Sequence, residues 1–382
     1  MFIELHMIQN FAPANLNRDD TNNPKDCEFG GHRRARISSQ SFKRAIRYER
    51  VFGETTQAAA GERSKWMTRP IKQKLVEAGK DDATATAVAV AFVNAYAAKS
   101  DKSNPEKTSV LLYFSPEEIQ AAVDGLLAGW DEAAAAAPDG NTLPDLVKAL
   151  QKETKDRTSA PDIALFGRML AEKPDLNIDA ACQVAHAIST HRITMEMDFY
   201  TAVDDLLARG EILTDKGEEQ VGAGMMGLTG FNSACFYRYA RIHWQQLVNN
   251  LGGNKGLAER TVEGFLRAAI DAIPTGKQNS FAAQNPTSLA MAVVRQDGKC
   301  WNLANAFERP VRPGRETGLI EPSIQALDRF WGNLVDTRDD ASFEAVAVFT
   351  DQYQDRLDRL HGHLQPNLSG WLNAVKSALP KE

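Results

Sequence analysis

Between His32 and Arg50, seven side chains are Lys or Arg (Arg33, Arg34, Arg36, Lys43, Arg44, Arg47 and Arg50), and only Glu49 is acidic. An exposed helix face ordinarily interleaves signs, so that residues four apart pair. A one-sided run suits a polyanion, whose phosphate oxygens accept charge-assisted hydrogen bonds without regard to base sequence. On composition alone, a solvated cationic face is the competing account. Ser38 or Ser39 is placed to cap a helix in which Phe42 and Ile46 share an apolar stripe. On that helix Lys43 and Arg47 stand four apart beside Arg44, and the helix start would add backbone N–H donors to these cations.

Other residues with chemical potential are more scattered. Phe199, Tyr200 and Thr201 form an aromatic run that could pack as a sheet edge or stack on bases. Gly276-Lys277-Gln278-Asn279-Ser280 could close on phosphate or ribose, or simply turn the chain. Gly222-x-Gly-x-x-Gly227 matches a dinucleotide fingerprint formally, but no apolar strand precedes it and no amphipathic helix follows. Cys27, Cys182, Cys235 and Cys300 are far apart, His186 and His191 are spaced to fall on different faces of a helix, and His361 with His363 has no third ligand nearby. No metal or cofactor is therefore expected. Asp19, Asp20 and Asp26 could hold a divalent ion for metal-assisted hydrolysis, although Asp19 and Asp20 are more simply turn formers.

The whole chain neither demands nor forbids a nucleic-acid partner. Its 382 residues carry a net charge of −6, which looks wrong for such a partner until the cations are seen to be concentrated. With 43% hydrophobic and 25% charged residues it reads as an ordinary soluble protein. No run of about 18 apolar residues predicts a membrane helix, and Met1-Phe-Ile-Glu-Leu-His6 does not read as a secretory signal.

The elements that must position the cations follow from periodicity. Residues 2–9 alternate weakly between apolar and polar and predict a first strand, followed by a loop over 12–26. From 55 to 190 the chain is rich in alanine, with helical spacing at 82–98, 116–136 and 143–155, and reads as a helical insertion. The stretch 194–230 includes the charged Asp215-Lys-Gly-Glu-Glu219 and four glycines from Gly222 to Gly230, which suits a protruding excursion. Beyond it a strand is predicted at 234–244, a helix at 256–273, a strand at 289–295, and helices at 322–335 and 343–362. With insertions removed, the order is strand, helix, strand, strand, helix, strand. That is an α+β fold of the ferredoxin-like, RRM-like type.

Two segments carry a resemblance: Leu16-Asn-Arg-Asp-Asp20 and Phe29-Gly-Gly-His-Arg-Arg-Ala-Arg-Ile-Ser-Ser-Gln-Ser-Phe-Lys-Arg44. Further matches are Ala185-His-Ala-Ile-Ser-Thr-His191, Asp198-Phe-Tyr-Thr-Ala-Val-Asp-Asp-Leu206, Phe236-Tyr-Arg-Tyr-Ala240, Asn249-Asn-Leu-Gly-Gly253, Asn302-Leu-Ala-Asn-Ala-Phe-Glu308 and Glu321-Pro-Ser-Ile-Gln-Ala326. In this order the chain resembles the backbone-subunit family (CasC) of the type I-E CRISPR surveillance complex, Cascade.

The resemblance implies a hand-like protein. An RRM-like palm would comprise residues 1–54, 191–198 and 231–382, helical fingers 55–190, and a thumb 199–230. Copies would stack along a crRNA, each thumb displacing one nucleotide at a regular interval so that the segments between can pair with target DNA. The implied crRNA contacts are Arg18, Lys25, Ser38, Gln40, Lys43, Arg44 and Arg47, joined by Arg34 and Arg36 of the same basic run. Arg168 and Met169 of Gly167-Arg-Met169 would face the displaced nucleotide, Lys277 and Gln278 would add contacts, and Phe199, Tyr200 and Thr201 would wedge between bases, with Tyr200 stacking. His32 stands where the family commonly has a cation. Implied partners are crRNA, the target DNA strand, copies of the chain, a large PAM-reading subunit, a small subunit, and subunits at the guide 5′ and 3′ ends, the latter processing the repeat. The setting would be cytoplasmic and the role non-enzymatic. The alternative is a metal-dependent target-RNA ribonuclease on the same fold, as in type III relatives.

Overall fold

The computed structural model describes residues 1–203, 205, 223–296, 298–340 and 342–380. The charged stretch 215–219 and Gly222, and with them much of the expected thumb, lie outside the described residues.

The long strand β1 (Phe2–Ala14) sends Ile3, Leu5 and Met7 into one apolar cluster and Ile8 into another, as alternation along a strand requires. β2 (Asp26–Phe29) and β3 (His32–Ile37) form a hairpin that runs directly into α1 (Ser39–Tyr48) and then α2 (Arg50–Thr56). The helical block contains α3 (Thr68–Glu77), α4 (Asp82–Tyr96), α5 (Pro116–Ala128), α6 (Pro144–Glu153) and α7 (Pro161–Phe166). Next come β4 (Cys182–Val184), β5 (Ala187–Ser189), β6 (Glu196–Val203) and β7 (Ala223–His243). The chain finishes with α8 (Lys255–Asp271), β8 (Leu289–Arg295), α9 (Ile320–Thr337), β9 (Phe343–Thr350) and α10 (Leu368–Ser377).

The main sheet runs β9-β8-β1-β7-β5-β3-β2 with every neighbour antiparallel, and β7 also pairs with β4 and β6. Helices cover both faces, so the sheet is the middle layer. On one side Leu5, Met7 and Ile242 pack with Ile46, Phe52, Val262, Phe265 and Trp371. On the other, Ile8, Tyr237, Met291 and Val348 pack with Ile324, Leu327 and Trp331 of α9. Each such large apolar side chain contributes about 1.5–3 kcal/mol on burial. The helical block has a core of its own, including Ile71, Leu75, Val88, Phe92, Ile119, Leu126 and Leu150.

The mixed α+β class is as expected, and the strand predicted at 289–295 is β8. Three boundaries need correction. The helix expected over 343–362 is instead strand β9 followed by short 3₁₀ turns at Gln354–Arg356 and His361–His363. Val346 and Val348 face one cluster while Ala345, Ala347 and Phe349 face the other, a period of two that completes the open edge of β8. Residues 182–189, assigned to the helical insertion, pair with β7 and belong to the sheet. The helix expected over 116–136 is broken at Gly129, where α5 ends and a separate helix, Trp130–Ala136, starts.

Candidate nucleic-acid interface

The start of α1 is organised by side chains from three places in the sequence. Ser38 is the N-cap, and its hydroxyl accepts from the Ser41 N–H at 3.3 Å. The Ser38 N–H donates to Asn17 Oδ1 at 2.8 Å, and the Ser39 N–H to His186 Nδ1 at 2.9 Å. Burial, then the charges of Arg36 and Lys25, lower the His186 pKa, so its ring is neutral with Nδ1 accepting and Nε2–H left as a donor. No acid occupies the first turn of α1, which leaves the positive end of the helix dipole uncompensated.

Phe42, Ala45 and Ile46 bury one face of α1, and Gln40 and Arg44 are exposed on the other. The half-buried Lys43 has its ammonium 5.5 Å from the Phe166 ring centre. Lys25 and Arg36 flank the cap, with Arg36 Nε donating to the Asp26 carbonyl at 3.2 Å. Arg18 is exposed in the neighbouring loop and donates to Asn22 Oδ1 at 3.1 Å. Lys25, Arg36, Lys43 and Arg44 have no ion pair among the described residues. Cations without ion pairs around a helix start offer charge-assisted donors of the kind that phosphate oxygens accept.

A second feature is the β6–β7 ribbon, which exposes Met197, Phe199, Tyr200, Met225, Met226 and Leu228. Phe199 lies opposite Leu228, Tyr200 opposite Gly227 and Thr201 opposite Met226. A Cβ at Gly227 would collide with the Tyr200 ring, so the phenol lies across its partner strand where only glycine leaves room. At its base the ribbon is tied to the Arg18 loop, because Asn15 Nδ2 donates to the Gly230 carbonyl at 2.9 Å. A third feature is a groove of about 520 Å³ in the helical block, lined by Arg63, Leu111, Tyr113, Phe166, Gly167, Met169 and Ile178, among others. Met169 is 85% exposed there. Gly167 has φ of 77°, and a Cβ on it would lie 2.7 Å from the Ile178 carbonyl oxygen.

Residues 3–371 match the family described as CT1975-like protein. The chain belongs to this Cas family. It is also similar to a chain in a structure titled "CRISPR RNA-guided surveillance complex, pre-nicking", with a TM-score of 0.83 and 31% identity, covering 99% of this chain and 100% of that one. A chain in a structure titled "CRISPR RNA-guided surveillance complex" gives a TM-score of 0.74 and 26% identity, again covering 99% and 100%. No match was found among curated proteins.

In this CT1975-like chain the expected contacts divide into two groups. Arg18, Lys25, Arg36, Ser38, Gln40, Lys43 and Arg44 gather at or near the start of α1. Lys277 is half-buried, and the Gln278–Phe281 turn that follows it packs on β1. For four expected contacts, side-chain donors are engaged inside the protein. Arg34 has no exposed surface and donates to the carbonyls of Ser189, Phe307 and Glu308 at 3.1, 2.8 and 3.0 Å, fastening β3 to β5 and the Leu303–Phe307 turn. Arg47 is buried against Asp162 at 2.8 Å and donates to the Gly61 carbonyl at 3.0 Å. Arg168 pairs with Glu118 at 2.6 Å and donates to the Leu176 carbonyl at 2.8 Å. Gln278 Nε2 reaches the Pro274 and Ala283 carbonyls at 3.1 and 3.4 Å.

Of the remaining cations in the run, Arg33 pairs with Asp26 and Arg50 with Glu54. The carboxylate considered for metal binding at Asp19 accepts from the Thr21 N–H and the Asn23 N–H, each at 2.9 Å, and these bonds with that of the Thr21 hydroxyl lower its pKa. It is a turn residue. Sequence reasoning missed Asn17 and His186 as supports of the helix start; their partners are 21 and 147 residues away, and no local pattern marks them.

Proposed function

We propose that the chain is the crRNA-binding backbone subunit of a type I-E Cascade complex, with an RRM-like palm, helical fingers and a thumb on the β6–β7 ribbon. The observation that carries this reading is the set of cations without ion pairs, Lys25, Arg36, Lys43 and Arg44, around the capped start of α1. They can hold a sugar–phosphate chain while leaving base edges free, which a carrier of interchangeable guides requires. The strand order β8-β1-β7-β5 supports the palm assignment, being that of a split βαβ unit.

The similar chains come from RNA-guided surveillance complexes, which supports crRNA and other complex subunits as partners. Copies of the chain would line the guide, and Phe199, Tyr200 and Thr201 would displace a base at each thumb, leaving segments to pair with the target DNA strand. The further partners would be the large PAM-reading subunit, the small subunit and the two guide-end subunits, all in the cytoplasm. No helix among the described residues is long and apolar enough to cross a membrane. The role we propose is binding rather than catalysis; of the loop aspartates, Asp19 is held in a turn by the Thr21 and Asn23 N–H groups.

Guide binding by Lys43→Glu/Arg44→Glu over a salt series tests the reading. Each lost phosphate contact to a single strand lowers the slope of log K against log salt by about 0.7, so the pair should lower it by about 1.4. An unchanged affinity and slope would refute the assignment.

A further inference from the structure

Tyr48 ends α1 with 68% of its surface exposed, although its ring is held in place from within. The Arg44 guanidinium carbon lies 4.7 Å from the ring centre and that of Arg47 5.6 Å. Arg47 cannot swing away, because Asp162 and the Gly61 carbonyl hold it. The same guanidinium lies 4.7 Å from the Tyr113 ring centre, with Arg63 at 4.4 Å from that ring. Two guanidiniums adjoin each ring, Arg44 and Arg47 at Tyr48 and Arg47 and Arg63 at Tyr113, in a cluster that runs from the exposed side of α1 to the wall of the groove that holds Leu111 and Met169. A ring propped on a fixed cation keeps its orientation, so a planar ligand can stack on it with little further loss of freedom.

We infer that Tyr48 is a stacking platform for an unpaired RNA base, with Arg44 holding the adjoining phosphate. The inference rests on the guide-binding reading and adds to it a base contact on the helix that otherwise grips only phosphates. A nucleotide suits this surface better than an apolar protein segment. Arg44 and Arg63 are exposed without an ion pair among the described residues, and an apolar partner would strip their water while returning no charge. Base and phosphate satisfy ring and cations together.

The test measures binding of the full chain to a single-stranded RNA oligomer, to an abasic oligomer of equal length, and to the DNA of the same sequence. Tyr48→Ala should weaken the base-bearing RNA about 10-fold, leave the abasic RNA unchanged and leave the salt slope unchanged. Tyr48→Phe should stay within about 2-fold of the parent on both RNAs. Lys43→Glu should instead weaken both RNAs and lower the slope. Equal losses on both RNAs, no loss on the base-bearing RNA, or a loss confined to DNA would overturn the inference. Tyr48→Trp guards against a folding defect, since its fluorescence should be quenched by the base-bearing RNA and not by the abasic one; quenching by neither contradicts the platform. If the unmodified chain binds neither RNA, the guide-binding reading fails first and this inference falls with it.

Discussion

Arg47 Nε donates to Asp162 Oδ2 at 2.8 Å, and both side chains are withdrawn from water. The same carboxylate accepts from the Gly61 N–H at 2.8 Å and the Tyr113 hydroxyl at 2.6 Å. One buried anion thus joins α1, which carries the proposed RNA grip, to α7 and to the short strand Leu112–Phe114 of the helical block.

Removing the cation from that node should be costly. Arg47→Met leaves Asp162 buried and unpaired, and should destabilise the fold by about 3–5 kcal/mol in urea denaturation. Adding Asp162→Asn should recover much of that loss, because the charge disappears while the amide oxygen still accepts. If the double variant is no more stable than Arg47→Met, the ion pair is not the source of the cost. Charge reversal that includes Arg47 would confuse unfolding with loss of RNA, so Lys43 and Arg44 are the residues to reverse.

The polar face of β1 predicts opposing pH effects. Glu4 accepts from the Tyr239 hydroxyl at 2.9 Å and the Trp301 N–H at 2.7 Å, and burial raises its pKa to about 7. A carboxyl raised from 4.5 holds its proton more tightly when folded, so its contribution is complete below pH 4.5 and is lost as pH rises towards 7. His6, buried at Nδ1 2.9 Å from the Tyr237 hydroxyl, is lowered by desolvation to about 3, so its contribution is present above 6.5 and is lost as pH falls towards 3. Between about 4.5 and 6.5 the two slopes cancel. Glu4→Gln should therefore raise stability at pH 8 relative to pH 5, by about 3 kcal/mol at most. Parallel pH profiles for parent and variant, from chemical denaturation, would contradict this.

Gly227 gives a test of the thumb that leaves the α1 cations untouched. Gly227→Val puts side-chain atoms where the Tyr200 ring now lies. It should therefore reproduce Tyr200→Ala: chemical probing of the bound guide should lose its periodic reactive nucleotides while guide affinity changes little. A periodic pattern that survives both substitutions would show that Tyr200 does not displace bases.

Much of this fold could be read locally. Strand β8 and the Ser38 cap lie where alternation and cap preference put them, because each depends on neighbours within a few residues. Strand β9 reads as a helix in the sequence because its Glu and Ala content suits one, and its strand state is decided by the open edge of β8. The cations were legible as a cluster but not as individuals. Arg34, Arg44 and Arg47 look alike in the sequence; only the fold brings Ser189, Phe307 and Asp162 to two of them and leaves the third in solvent. Partners more than 100 residues away cannot be inferred from the run itself.

The central claim is that one chain after another grips the same RNA, and particle mass is its most direct measure. Native mass spectrometry of complexes assembled on guides of increasing length should show mass rising in steps of one chain as the guide lengthens. A fixed one-to-one complex at every guide length would contradict the account.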